Sequence, residues 1–353
     1  MPRRTSDRLT ALVRAQAERG VNGVYEVERR IPEIRERVGR FVGARPEEIA
    51  FLRNTGDGAN VIARGLEWRP GDEILLCDNE FGSNVMPWVA LREYGVVLRF
   101  IRTPHERMTP ERLRATLTAR TRVVAVSWVS FLDGYRHDLP ALAETAHAGG
   151  ALFCVDAMQA LGAFSIDVKS AGIDALYAGA AKWLLAIPGV SFLYIDAALT
   201  DRLAVRWRGW KDVEDMWNFL DYDQAFAPGA ARFEGGTQNF LGMAALETSI
   251  DVLDEAGVDR ISAHVLALTD HLVEGLRRIG AEIDSERRPS VSSGIVTFRI
   301  PGADPIELGR RLGRANIVST YRQNGIRVSP HGHNTVADMD ALLAGLVAVG
   351  SDC

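Results

Sequence analysis

From about residue 50 onward, short apolar runs recur along the chain: EILLCD, VVLRFI, RVVAVSW, ALFCVDA, ALYAGA and VSFLYI. Between them lie segments with apolar residues at helical spacing, GANVIARGL, NVMPWVALREYG, TPERLRATLTA and LPALAETAHAGG. A continuous apolar run suits a strand buried on both faces. Strands alternating with helices predict an α/β fold, a parallel or mixed sheet covered on both sides. The pattern differs at either end. Residues 5–43 read as two charge-rich helices with Ile31, Ile34, Val38, Phe41 and Val42 near one face. Residues 210–239, WKDVEDMWNFLDYDQAFAPGAARFEGGTQN, are polar and aromatic without a period and read as an ordered excursion out of the sheet. Two helices over 240–279, strands through GIVTFRI and GIRVS, and helices through PIELGRRLGR and VADMDALLAGLVAVG predict a smaller α+β domain. The expected division is therefore 1–239 and 240–353, with no internal repeat.

Composition narrows the function classes. With 47% hydrophobic and 25% charged residues in 353, the chain has the make-up of a globular protein with a large core. A formal charge of -5 supplies no basic field for phosphate backbones, so nucleic acid is not an expected partner. The longest apolar runs fall short of the roughly 20 residues that span a bilayer. The N-terminal stretch is basic but lacks an apolar signal core, and a cytoplasmic chain is expected. Cys77, Cys154 and Cys353 are odd in number and far apart, which suits reduced thiols better than disulfides or zinc. His331 and His333 have no third ligand within reach in the sequence, so no metal is expected.

The basic residues number 41, yet only Lys169, Lys182 and Lys211 are lysines. Lys169 and Lys211 read as solvated charges. Lys182, in GAAKWLLAIPGVSFLYI, has apolar neighbours, and an ammonium in such company must lose its proton, meet a counter-charge or be bonded to something. The strand ALFCVDAMQ ends in Asp156, followed by Gln159, and ligands of open sheets sit beyond strand carboxyl ends; an Asp there also caps turns. RNTGDGAN, residues 53–60, joins a strand to a helix and offers the Thr55 hydroxyl and Gly56 amide to an anion, although such a sequence also caps helices without a ligand. A lysine that condenses with an aldehyde, an acid that keeps a pyridine nitrogen protonated and an anion-binding helix end are together the needs of pyridoxal phosphate.

The order of motifs resembles the class V aminotransferase family of fold type I pyridoxal-phosphate enzymes. FLRNTGDGAN is similar to its phosphate-loop segment, GDEILLCDNEFGSNVMPW to its cofactor-stacking segment and ALFCVDAMQALGAFSIDV to its Asp-x-x-Gln strand. GAAKWLLAIPGVSFLYI resembles the Schiff-base segment, ARFEGGTQN the dimer-partner segment and GIRVSPHGHNT the C-terminal arginine motif. The resemblance implies a large domain built on a mostly parallel sheet of the seven-stranded type, with pyridoxal 5'-phosphate as cofactor. It implies Lys182 as the Schiff-base lysine, Asp156 at the pyridine nitrogen and Gln159 at the ring oxygen. Thr55 and Gly56 would hold phosphate, Phe81 would stack on the ring, and Arg327 would bind the substrate α-carboxylate. Thr237 would reach the phosphate of a neighbouring subunit, which implies a homodimer with shared sites.

The implied activity begins with an external aldimine of an α-amino acid and a carbanion, and ends in transamination, epimerisation or C–S or C–C β-cleavage. Two departures bear on it. Gly179, Ala180 and Ala181 stand where relatives carry Ser-Gly-His, and NIVSTYRQNGIRVS lacks the loop cysteine of cysteine desulfurases. Together with Phe81 at the stacking position, this favours an epimerase-like or lyase-like branch over desulfurase or selenocysteine lyase chemistry. A non-catalytic relative that keeps the fold for binding is the remaining alternative.

Overall fold

The computed structural model describes residues 1–102, 107–322 and 325–350, and its contacts divide the chain into two compact units. The first comprises 1–128 and 139–256. Its sheet has seven strands: β1 Ile49–Leu52, β2 Glu73–Cys77, β3 Val97–Ile101, β4 Thr121–Ser127, β5 Leu152–Asp156, β6 Ala175–Gly179 and β7 Ser191–Ile195, in the order β1-β7-β6-β5-β4-β2-β3. The run from β6 through β3 is parallel, while β7 lies antiparallel between β6 and β1. The apolar runs are explained by position, since every residue of β2, β6 and β7 is buried. β3, one of the two edge strands, exposes Val97 and Phe100. Ile62, Trp88, Tyr177 and Leu193 belong to the main core cluster.

Two helical expectations change in detail. Residues 5–43 form Arg3–Arg19, Tyr25–Arg29 and Ile31–Val42, the first break being a short 3-10 turn at Gly20–Gly23. NVMPWVALREYG does not form one helix. Pro87 lacks the N–H that a continuing helix needs, and the segment resolves into the turns Gly82–Asn84, Met86–Val89 and Ala90–Tyr94.

The second unit comprises 129–138 and 257–353. Its sheet, β8 Glu282–Ile283, β9 Val296–Arg299, β10 Thr320–Arg322 and β11 Gly325–Val328, is antiparallel in the order β10-β11-β9-β8. Val258–Arg278, Pro305–Arg314 and Val336–Gly350 join it in a core that includes Leu272, Leu276, Phe298, Leu312 and Ile326. The division thus lies at Gly257 rather than at residue 239. The helix Phe240–Ala256 stays with the first unit because it packs on the N-terminal helices, where Arg30 and Arg37 reach Glu247 and Asp251. Residues 129–138 belong to the second unit because Leu132 and Gly134 carbonyls accept from Thr297 and Ser293 hydroxyls. Among the described residues no helix is long and apolar enough to cross a membrane.

Candidate active site

Strand direction gathers the candidate residues of the first unit at one edge. β5 and β6 are parallel, so Asp156 and Gly179 end them on the same side. β7 then runs back, and β1 runs antiparallel to it, so Leu52 pairs with Ser191 while Ser191 pairs with Gly179. The chain leaving β1 enters the helix Thr55–Gly65 at that same edge. The Gly179 N–H donates to Thr55 Oγ1 at 3.1 Å, and Asn54 caps the helix by accepting from the Asp57 N–H at 3.0 Å. Capping by residue 54 leaves the Thr55 and Gly56 end of the first turn to face an anion. A shallow cleft of about 420 Å³ borders Gly56, with Gly82 and Ser83 among its lining residues.

Asp156 is 4% exposed and accepts from the Met158 N–H at 2.8 Å. Burial raises its carboxyl to about 7, the Met158 N–H opposing, with Glu80 adding to the rise and Lys182 reducing it. Gln159 follows, half-buried, on the turn after β5.

Two of the three lysines reverse the sequence expectation, while Lys169 is exposed as expected. Lys182 is exposed, with its flanking Ala180, Trp183 and Leu184 buried, and its Nζ lies 5.6 Å from the centre of the Phe81 ring. Lys211 is 9% exposed, paired with Glu28 and donating to Gln238 Oε1 at 3.0 Å. Lys169 is paired with Asp196 at 2.8 Å and with buried Glu48. The apolar letters around Lys182 face the core, and the lysine emerges between them because 180–190 is a loop that turns β6 into β7.

Thr237 is exposed, accepts from Trp210 Nε1 at 3.3 Å and lines a cleft of about 550 Å³ with Phe51, Arg53, Trp207 and Met243. Lys182 and Asp156 do not line that cleft. In the second unit, Arg327 on β11 donates to the Phe131 carbonyl and to Thr320 Oγ1 at 3.3 Å, while its buried Nε has no partner among the described residues. Burial and then the nearby Arg322 lower the Arg327 pKa, so positive charge is held there against a cost.

The family model for class V aminotransferases matches residues 3–342. A probable cysteine desulfurase of Methanothermobacter thermautotrophicus is 32% identical over 294 residues, 82% of this chain and 72% of the relative. An uncharacterized aminotransferase of Bacillus subtilis, YcbU, is 30% identical over 86% of this chain and 80% of its own. The apo structure of a cysteine desulfurase from Thermococcus onnurineus NA1 superposes with a TM-score of 0.91 at 25% identity, covering 100% of this chain and 92% of that one. The chain belongs to the class V aminotransferase family. It is accordingly a pyridoxal-phosphate-dependent enzyme of fold type I.

The residues present fit that cofactor. Asp156, buried with one N–H donor and a raised pKa, needs a cationic N–H to hold its charge, which a pyridinium nitrogen provides. The class V departure at Gly179 also has a local cause. A Cβ there would lie 3.1 Å from Met158 Sδ and 3.2 Å from Thr55 Oγ1, so Met158 fills the space that a serine side chain would need.

Sequence reading missed four residues of this edge. Glu80, Asn84, Ser127 and Tyr177 form one hydrogen-bonded chain from the Phe81 loop to β4 and β6. Glu80 lies in a polar loop, where an acid reads as solvated. The only signal was its place beside Phe81 in the cofactor-stacking segment. Among the described residues no group of three His, Cys, Asp or Glu is placed to hold a metal ion. The rings of His331 and His333 stack on each other, with centres 5.4 Å apart.

Proposed function

We propose that this chain is a cytoplasmic homodimer that holds pyridoxal phosphate at the carboxyl edge of its first sheet and acts on an α-amino acid at Cα. The observation that carries the reading is the convergence of Thr55, Gly179 and Asp156 on one edge, with Lys182 in the loop that follows Gly179. When bound, the cofactor supplies an electron sink that loosens the bonds to the substrate Cα.

The chain's own residues do the rest. Thr55 and the Gly56 amide hold the phosphate at a helix N-terminus. The Asp156 carboxylate keeps the ring nitrogen protonated, and Gln159 donates to the ring oxygen. Phe81 stacks on the ring and, having no titratable atom, leaves proton traffic to Lys182. Lys182 anchors the cofactor, and its Nζ takes the Cα proton and returns it. Arg327 presents its planar fork to the α-carboxylate. Thr237 completes the phosphate grip from the second subunit.

The reaction we favour is epimerisation or β-cleavage without a protein persulfide. Attack on substrate sulfur requires a thiolate. Cys77 and Cys154 are buried in β2 and β5, and burial pushes the Cys154 thiol well above its ordinary value. Cys353 lies outside the described residues.

The test is cofactor loading. The protein should take up pyridoxal phosphate with an absorption band near the visible edge, and borohydride should fix the cofactor on the peptide that contains Lys182. Lys182→Ala should abolish that fixation. A wild-type protein that stays colourless with excess cofactor would sink the reading. An amino-acid panel with product analysis then separates keto acid, enantiomer and β-cleavage products.

A further inference from the structure

We propose that Glu80 is a positioning residue of the cofactor pocket: its carboxyl group fastens the loop that carries Phe81 to the end of β4, leaving Asp156 to face the ring nitrogen. The proposal rests on the reading of this pocket as a pyridoxal-phosphate site.

The geometry is specific. Glu80 Oε1 accepts from the Ser127 backbone N–H at 2.8 Å, and Oε2 accepts from Asn84 Nδ2 at 2.9 Å. Ser127 Oγ lies 2.5 Å from the same Oε2. Asn84, with its Nδ2 committed to Glu80, turns Oδ1 to the Tyr177 hydroxyl, which donates at 2.5 Å. Ser127 and Tyr177 are the two sheet neighbours of Asp156, one on β4 and one on β6. The network therefore brackets Asp156 while holding the chain on either side of Phe81, at residues 80 and 84. Tyr177 in turn lies against Gly58 of the helix that begins at Thr55.

These three donors favour a charged carboxylate, yet the arrangement also admits an uncharged acid. The two N–H donors are fixed, but the Ser127 hydroxyl can accept as well as donate, so a proton on Oε2 can be given to Ser127 Oγ. By surface area Glu80 is only half-buried, while its carboxyl group lies deep among other atoms, and burial pushes it up against the pull of Asn84 and Ser127. The charged and titratable groups around it are Asp156 and Tyr177, with Lys182 acting on Asp156 from the loop. A charge on Glu80 would oppose the carboxylate that the ring nitrogen needs. Neutral Glu80 supplies the fastening without that penalty.

The sign of the pH effect follows. A carboxyl whose folded pKa lies above its unfolded value keeps its proton longer in the folded state, so stability falls as pH rises between the two values. Gln cannot ionise, and it can keep the fastening if Asn84 turns its amide over and Tyr177 accepts.

The experiment compares wild type, Glu80→Gln and Glu80→Ala. In protein loaded with pyridoxal phosphate, Glu80→Ala should lose visible dichroism of the bound cofactor and bind it about tenfold more weakly, as expected for lost buried hydrogen bonds. Glu80→Gln should restore both. In cofactor-free protein, the melting temperature of Glu80→Gln minus that of wild type should rise as pH rises above the ordinary carboxyl range.

The proposal fails if Glu80→Ala retains wild-type dichroism and affinity, or if Gln is as damaging as Ala. It also fails if the variants alter only melting, which would make Glu80 a structural fastener alone. Should Glu80→Ala not fold, Ser127→Ala removes one contact of the same carboxyl and should shift dichroism in the same direction; unchanged dichroism there overturns the proposal. A wild type that takes up no cofactor defeats the pyridoxal-phosphate reading instead. The cofactor-free pH comparison still tests the buried carboxyl by itself, and a flat difference there overturns the proposal whatever the cofactor does.

Discussion

Asp156 is raised to about 7 by burial, so near neutral pH the cofactor-free protein holds this carboxyl partly protonated. Its folded pKa exceeds the unfolded value of about 3.9, so its contribution to stability is lost progressively as pH rises from about 4 to about 7. Asp156→Asn should therefore stabilise the cofactor-free protein at about pH 8 by on the order of 2–4 kcal/mol, and change it little near pH 4. Thermal melts across that range measure the difference. With pyridoxal phosphate bound the sign should reverse, because the variant can no longer balance a ring cation, and the cofactor should dissociate more readily. Arg327 has the opposite need: its buried Nε lacks a partner among the described residues, and Arg322 adds like charge. Arg327→Ala should weaken amino-acid binding by about 2–5 kcal/mol while leaving the cofactor absorption unchanged. Equal binding of amines that lack the carboxylate would contradict its assignment to substrate.

At the scale of elements, the helix Thr55–Gly65 is positioned by contact with β6 as much as by its cap. A Cβ on Gly58 would lie 2.5 Å from Tyr177 Cβ, and both residues are buried. Gly58→Ala should push the helix from the sheet, at a cost of about 1–3 kcal/mol, and carry Thr55 and Gly56 with it. The expected result is a lower melting temperature together with weaker cofactor binding, although residue 58 would touch no cofactor atom. Gly134, at φ +73° with Ile295 O only 2.4 Å from a would-be Cβ, has the same role within the second unit. Gly134→Ala should destabilise that unit by about 1–3 kcal/mol through backbone strain, read as an earlier melting transition.

Over the whole molecule, the excursion from 207 to 226 exposes more aromatic surface than an isolated subunit needs. Trp217 is 59% exposed, and its ring centre lies 6.0 Å from Trp210 and 5.9 Å from Phe219. Such a patch, whose Trp210 Nε1 donates to Thr237 Oγ1, agrees with the homodimer proposed above. Sedimentation should give twice the chain mass. Mixing Lys182→Ala with Thr237→Ala subunits should regenerate one intact cofactor site per hybrid dimer, because one subunit retains the lysine while its neighbour retains the threonine. Titration of cofactor uptake by the mixture, against each parent variant, measures this.

The fold class and the order of the strands' apolar runs were legible because burial on both faces leaves a local trace in the sequence. The motifs at 53–60, 151–159 and 179–195 were legible for a related reason: a residue at the end of a buried strand has no choice but the sheet edge. Side-chain environment was not legible in the same way. GAAKWLL reads as an interior lysine, yet the β6–β7 loop sends Lys182 outward while Lys211, from a polar stretch, is buried against Glu28. The domain boundary moved from 239 to Gly257 because helix contacts with the N-terminus, distant in sequence, outweigh the change of local pattern. Glu80 became visible only when β4 and β6 were brought beside its loop, since a carboxyl's charge state depends on neighbours that the chain supplies from residues 84, 127 and 177. By itself the sequence determined where buried strands alternate with helices and which residues, Asp156 and Gly179 among them, stand at strand ends, since both follow from local pattern and chain direction. The tertiary structure alone decided which of them are buried, paired or charged, since those depend on packing between distant segments.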